Sequence, residues 1–143
     1  MLAYPAKFAP EKKAINVTFP DLPEAITCGY SEEEAMEYAV DALETTLSEY
    51  IKRRREIPIP RKVRGKGMRL VTLPALSEAK VRLYEAMRSQ GVRKADLARR
   101  IGWHKSQMDR LLDLTHASRL DQVETALKGL HLRLAVHLEK CAA

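Results

Sequence analysis

The stretch Lys94 to Asp113, KADLARRIGWHKSQMDRLLD, constrains the fold more than any other part of the chain. Its small, glycine and apolar positions fall where two short crossing helices need them. Ala98 is small enough for the helices to approach closely. Gly102, four residues on, sits where the chain leaves the first helix in a left-handed conformation that costs glycine least. Leu97, Ile101, Trp103, Met108, Leu111 and Leu112 supply the apolar faces of this helix-turn-helix, with Trp103 read as core rather than as a base-stacking platform. Lys105, Ser106, Gln107, Asp109 and Arg110 then lie on the second helix with nothing apolar to cover. Their donors have the chemistry to meet base edges and phosphates in a major groove. The pattern predicts double-stranded DNA contacts from Lys94, His104, Lys105, Ser106, Gln107 and Arg110, with Ser106 and Gln107 on the base-reading side and His104 at a phosphate.

Charge divides the rest of the chain. Residues 1 to 51 hold 3 Lys or Arg against 10 Asp or Glu, residues 52 to 74 hold 9 against 1, and residues 75 to 143 hold 13 against 8. An acidic front, a basic connector and a basic rear point to two partners of opposite charge, a cationic protein and a polyanion. At 143 residues the chain reads as two small units, 1–74 and 75–143, with a Pro-rich and basic connecting segment, 57–67, inside the first.

In the front unit, Leu2 to Phe8 and Ile15 to Phe19 alternate apolar and polar residues around a Glu11-Lys12-Lys13 tip, which predicts a hairpin. Pro20-Asp21-Leu22-Pro23 reads as a turn and Ile26 to Tyr30 as a short third strand. Ser31 with Glu34 makes a capping box. Ala35, Met36, Ala39, Val40, Leu43, Leu47 and Ile51 then recur at helical spacing, so the helix packs one face on the sheet and ends near Arg54 or Arg55. Ile57-Pro58-Ile59-Pro60 cannot continue it, and Met68 to Leu73 reads as a fourth strand.

In the rear unit, Ser77 to Gln90 is a helix ended by Gly91, and a last helix runs through Val123, Ala126 and Leu127 to Gly129. The period then changes. Leu130, Leu132, Leu134, Val136 and Leu138 alternate with polar residues, predicting a strand in a unit with no other strand to pair it. Pairing with the same segment of a second chain satisfies its backbone, so Leu132, Leu134 and Val136 are expected at a dimer interface. The fold class that emerges is α+β: a small β-β-β-α-β front domain, then a helical helix-turn-helix domain ending in a dimerising β-strand.

Residues 4 to 50 resemble the front domain of HicB antitoxins. The likeness rests on Tyr4-Pro5 in the first strand, FPDLPEAITCG at 19 to 29 and AMEYAVDAL at 35 to 43. IPIPR at 57 to 61 and the helix-turn-helix resemble the variant with a DNA-binding rear domain. The resemblance implies an antitoxin that binds and silences a HicA-type toxin, a small ribonuclease that cuts messenger RNA with a histidine, and that represses its own operon by binding operator DNA as a homodimer or higher oligomer. Together with the charge division it puts the toxin contact on acidic Asp21, Glu24, Glu32, Glu33 and Glu37 and on apolar Tyr4, Phe19 and Leu22.

Catalysis is not expected. Asp21 and Glu24 invite a nuclease reading with Asp41 and Glu44, but carboxylates on a solvated helix face are the common case, and metal-dependent cleavage needs several converging on an ion. His116, His131 and His137 lack metal-ligand spacing, so no metal and no cofactor are expected. Cys28 and Cys141 are the only cysteines and lie far apart, which favours reduced thiols. No apolar run approaches a membrane span and the first residues lack a leader pattern, so the expectation is a cytoplasmic protein without membrane contact. A ligand-sensing regulator without a toxin partner is the rival reading.

Overall fold

The computed structural model describes residues 1–141. The alternating segments form β1 (Ala3–Glu11), β2 (Ala14–Phe19) and β3 (Leu22–Gly29), and β4 (Met68–Thr72) joins them after a long excursion. All pairs are antiparallel, in the order β3-β2-β1-β4. Tyr4 stands opposite Val71 and Phe8 opposite Val17, so these residues share one face with Ala6, and all are buried. β1 is central yet carries two prolines. Pro5 faces Leu70 beyond the paired end of β2, and Pro10 faces Ile15 beyond the paired end of β4, so each has an unflanked side toward which its missing N–H can point.

The connection after β2 is tighter than the sequence reading has it. Phe19 pairs directly with Leu22, Pro20 and Asp21 alone make the turn, and Pro23 is a strand residue. β3 lies at the sheet edge, where a proline without a donor is tolerated.

α1 (Glu32–Lys52) crosses the buried face. Its N-cap is Ser31, whose hydroxyl accepts the Glu34 N–H at 3.1 Å, while the Glu34 carboxylate accepts the Tyr30 N–H at 3.2 Å. Ala35, Ala39, Leu43, Leu47 and Ile51 recur every four residues and are buried. Each of the larger ones contributes roughly 2 kcal/mol by leaving water. The helix stops at Lys52, slightly before the expected end, because Arg54 turns into a left-handed backbone at φ 59°.

The rear of the chain is helical: α2 (Ala75–Gln90), α3 (Lys94–Ile101), α4 (Lys105–Leu111) and α5 (Leu120–Lys128). α2 is tied back to the front. The Leu2 N–H donates to the Glu78 carboxylate at 2.7 Å, the Tyr84 hydroxyl donates to the Arg55 carbonyl at 2.6 Å, and the Ser77 hydroxyl bonds the Glu44 carboxylate. One apolar core accordingly runs from Tyr4 to Leu130. The fold is mixed α+β, a four-stranded antiparallel sheet with a helix followed by a helical region.

After α5 the chain reverses at His131, φ 59°, and runs to Cys141 without a strand ladder. The expected terminal strand is therefore not formed within one chain, because among the described residues the sheet lies in the front and the rear holds no strand to pair it. Leu132 and Val136 are 41% and 76% exposed, whereas Leu134 is partly buried against the core. Near its end, Glu139 lies 3.4 Å from the N-terminal ammonium.

Candidate nucleic-acid and partner interfaces

α3 and α4 meet at a tight turn. Gly102 takes φ 73° and the Trp103 N–H donates to the Ala98 carbonyl at 2.9 Å, closing the end of α3. Leu97, Ala98, Met108 and Leu111 are buried where the helices cross, leaving His104, Lys105, Ser106, Asp109 and Arg110 exposed along α4. Two of the six residues read as DNA contacts are already engaged within the chain. Gln107 is half-buried and its side-chain oxygen accepts the His104 N–H at 2.8 Å, capping α4. The Lys94 ammonium lies 2.9 Å from the Asp109 carboxylate and links the start of α3 to α4. Among the described residues the side chains of Lys105, Ser106 and Arg110 have no protein hydrogen-bond partner, so they are the polar groups α4 offers outward.

The end of α4 is tied to α2 by a residue that the sequence reading passed over. Lys80 on α2 is fully buried, and its ammonium donates to the carbonyls of Asp113 at 2.7 Å, His116 at 2.6 Å and, more weakly, Arg110 at 3.5 Å. It sits at the C-terminal end of α4 and the turn that follows, where positive charge is favoured. Burial pulls the Lys80 ammonium below the usual lysine range, against the pull of Asp113 and Glu44. Burial also raises Asp113, but hydrogen bonds from the Thr115 hydroxyl and N–H, helped by Lys80 and His116, outweigh it and hold the carboxylate low. α1 reaches the same knot, for the Ser48 hydroxyl accepts the Leu114 N–H at 2.7 Å. A signal for Lys80 was present: Ser77, Lys80, Val81 and Tyr84 follow the i, i+3, i+4, i+7 spacing of one buried helix face.

In the front, the apolar part of the expected partner surface needs correction. Tyr4, Phe19 and Leu22 are 0%, 2% and 0% exposed, because the pleat turns them toward α1. The Tyr4 hydroxyl donates to the Pro58 carbonyl at 2.7 Å, and burial raises its pKa. Asp21 is enclosed as well. Its carboxylate accepts the Arg61 N–H and guanidinium, and only 4% of its side chain is exposed. Glu24 accepts the Tyr50 hydroxyl at 2.8 Å and lies 3.4 Å from Arg55. Its pKa is lowered by its own backbone N–H and by Tyr50. Glu32, Glu33 and Glu37, by contrast, are exposed on α1 with no ion-pair partner among the described residues. Beside them in sequence, Tyr30 and Tyr38 are 77% and 43% exposed, and Ile26 on the uncovered sheet face is 67% exposed. Exposure of a tyrosine leaves no mark in a single sequence, so these were missed.

No group of three or more His, Cys, Asp or Glu among the described residues is placed to hold a metal ion. No helix among them is long and apolar enough to cross a membrane.

A family model described as HicB_like antitoxin of bacterial toxin-antitoxin system matches residues 3–82, the whole sheet, α1 and the first half of α2. The chain belongs to this HicB-like antitoxin family. Similarity also extends beyond the matched segment. Antitoxin HicB of Pseudomonas fluorescens (strain Pf0-1) is 37% identical over 139 residues, covering 97% of this chain and 95% of the relative. Antitoxin HicB 2 of Photorhabdus laumondii subsp. laumondii is 39% identical over 135 residues, covering 93% and 95%. Antitoxin HicB of Escherichia coli (strain K12) is 35% identical over 136 residues, covering 94% and 98%. An antitoxin role in a toxin-antitoxin system fits this family, and the match takes in the acidic helix as well as the sheet.

Proposed function

We propose that this HicB-like antitoxin neutralises a HicA-type mRNA-cleaving toxin by binding it, without catalysis of its own, and represses its own operon through α3 and α4 acting as a helix-turn-helix. Residues 1–74 would serve the toxin and residues 75–143 the operator. For DNA, the observation that carries the reading is the division of α4: Met108 and Leu111 are buried while Lys105, Ser106 and Arg110 are exposed, their side chains without a hydrogen-bond partner among the described residues. For the toxin, it is the outer surface of α1, where Glu32, Glu33 and Glu37 carry unpaired charge next to exposed Tyr30 and Tyr38. An acidic surface attracts a basic ribonuclease, and the two tyrosine rings supply apolar contact area that Tyr4, Phe19 and Leu22 cannot. Leu132 and Val136, exposed on the C-terminal segment, are the proposed contact between copies, with Leu134 at its margin.

The DNA half is tested by operator binding of a Lys105→Ala/Ser106→Ala/Arg110→Ala variant. Gln107 is left in place because it caps the helix. A loss of roughly 1 to 3 kcal/mol for each base-contacting side chain is expected. Unchanged operator affinity in the folded variant would remove α4 as the reading helix.

A further inference from the structure

The cationic connector offers a second surface for nucleic acid, apart from α4. From the end of α1 into β4 the chain carries Arg53, Arg54, Arg55, Arg61, Lys62, Arg64, Lys66 and Arg69. Arg53 is matched by Glu49, Arg55 by Glu24 and Arg61 by Asp21, while Arg54 is exposed at the α1 end. Lys62, Arg64, Lys66 and Arg69 are exposed and none has a carboxylate within 4.0 Å among the described residues. Lys7, also exposed, stands opposite Met68 in the β1–β4 register and so lies on the sheet face away from Phe8 and Arg69.

These cations are held in a built loop. Arg61 fixes its start, donating from its backbone to Asp21 at 3.1 Å and from its guanidinium to the Pro20 carbonyl at 3.2 Å. Its end is fixed by the Phe8 N–H, which donates to the Gly67 carbonyl at 2.8 Å, and by the Met68 N–H, which donates to the Gly65 carbonyl at 3.2 Å. Gly67 has φ 79°, and a Cβ there would stand 2.6 Å from the Phe8 carbonyl oxygen, so only glycine lets the loop lie this close to β1. The Phe8 ring at the loop is buried under Arg69, whose guanidinium sits 5.0 Å from the ring centre. A surface with unpaired cations on a backbone held at both ends, and no exposed ring at the loop among the described residues, suits phosphates rather than stacked bases, and hence a duplex rather than a single strand.

We propose that Lys62, Arg64 and Lys66 bind the phosphate backbone of double-stranded DNA without sequence preference, independently of α4. This does not rest on the recognition role proposed for α4, and it is tested without the operator. Full-length protein is titrated into a labelled non-operator duplex across a salt series, and the slope of log affinity against log salt is read. An Arg64→Gln/Lys66→Gln variant is compared with Arg53→Gln/Arg82→Gln, which removes the same charge from cations already paired with carboxylates. Each lost phosphate contact lowers the slope by about 0.9. The loop variant should therefore lose up to about 1.8, making its affinity roughly 12-fold less sensitive to a fourfold rise in salt. The paired-cation variant should match wild type, and the loop variant should show the same loss when Lys105 and Arg110 are also alanine. Equal slopes for loop variant and wild type would overturn the proposal. So would an equal loss in the two variants, which reports net charge only, or tighter binding to single-stranded RNA than to the duplex.

Discussion

Replacing Lys80 by methionine keeps much of the side chain's length and volume while removing the ammonium from the end of α4. Two short charge-assisted hydrogen bonds, to Asp113 and His116, are lost together with a long one to Arg110. At about 1.5 to 3 kcal/mol for each short bond, the gross loss is roughly 3 to 6 kcal/mol. Two effects reduce it. Each carbonyl keeps another donor, since Asp113 also accepts the His116 N–H at 3.1 Å, His116 the Ser118 N–H at 2.9 Å and Arg110 the Asp113 N–H at 3.2 Å. No acceptor is left bare, and the variant no longer has to desolvate a buried ammonium. The expected net destabilisation is about 2 kcal/mol, which for a chain of this size lowers the melting midpoint by roughly 6 °C. Urea unfolding measures the first number and calorimetry the second. Amide exchange at Leu112 to Ser118 should accelerate more than exchange in the sheet. The pH dependence has a definite sign. Because burial lowers the folded-state pKa below that of the unfolded chain, the unfolded state binds more protons between the two values. Wild type should therefore gain stability relative to Lys80→Met as pH rises through that window toward the ordinary lysine value. A Lys80→Met protein within 0.5 kcal/mol of wild type, an order-of-magnitude threshold set by ordinary surface changes, would show that the ammonium does not hold α4.

Other outcomes follow from the same geometry. Gly67→Ala forces a Cβ to 2.6 Å from the Phe8 carbonyl and should cost about 1 to 3 kcal/mol in urea unfolding, with exchange fastest in β4. Tyr50→Phe removes a hydroxyl bond from Glu24, whose folded pKa is held low, so an NMR titration should find the carboxyl closer to its ordinary value. The stability linked to that carboxylate is present above the unfolded pKa and lost as pH falls through the folded one, so wild type should lose more than Tyr50→Phe across that acid window. Truncation after His131, which keeps the buried Leu130, should lower oligomeric state and operator affinity together, and sedimentation showing an unchanged assembly would remove Leu132 and Val136 as the contact between copies.

Periodicity made the sheet, α1 and the order of the rear helices legible, because apolar spacing and the Ser31 and Gly102 signals all report backbone geometry that the residues themselves impose. Other features were not legible, the exposure of Tyr30 and Tyr38 among them. Proline at Pro23 reads as a turn until its strand is known to lie at an edge, which only the sheet order reveals. Alternation in 130–138 predicts a strand, yet a strand exists only if a neighbour does, and one chain provides none. Tyr4, Phe19 and Leu22 are apolar and could equally be core or contact, and the face they occupy depends on which side of the sheet α1 covers. For Lys80, the residue type argued for solvent while its helical phase argued for burial, and phase was the better guide because the end of α4 supplies acceptors.

The central claim is that this antitoxin works by binding its toxin, with the outer face of α1 as the contact. Calorimetric titration of full-length wild type and of Glu33→Lys/Glu37→Lys/Tyr38→Ala into a catalytically inactive HicA-type toxin tests it most directly. The account predicts saturable binding by wild type and at least a tenfold weaker, roughly 1.4 kcal/mol, interaction for the folded variant. Absence of binding by wild type would contradict the toxin partner, and equal affinity for both proteins would contradict the α1 surface.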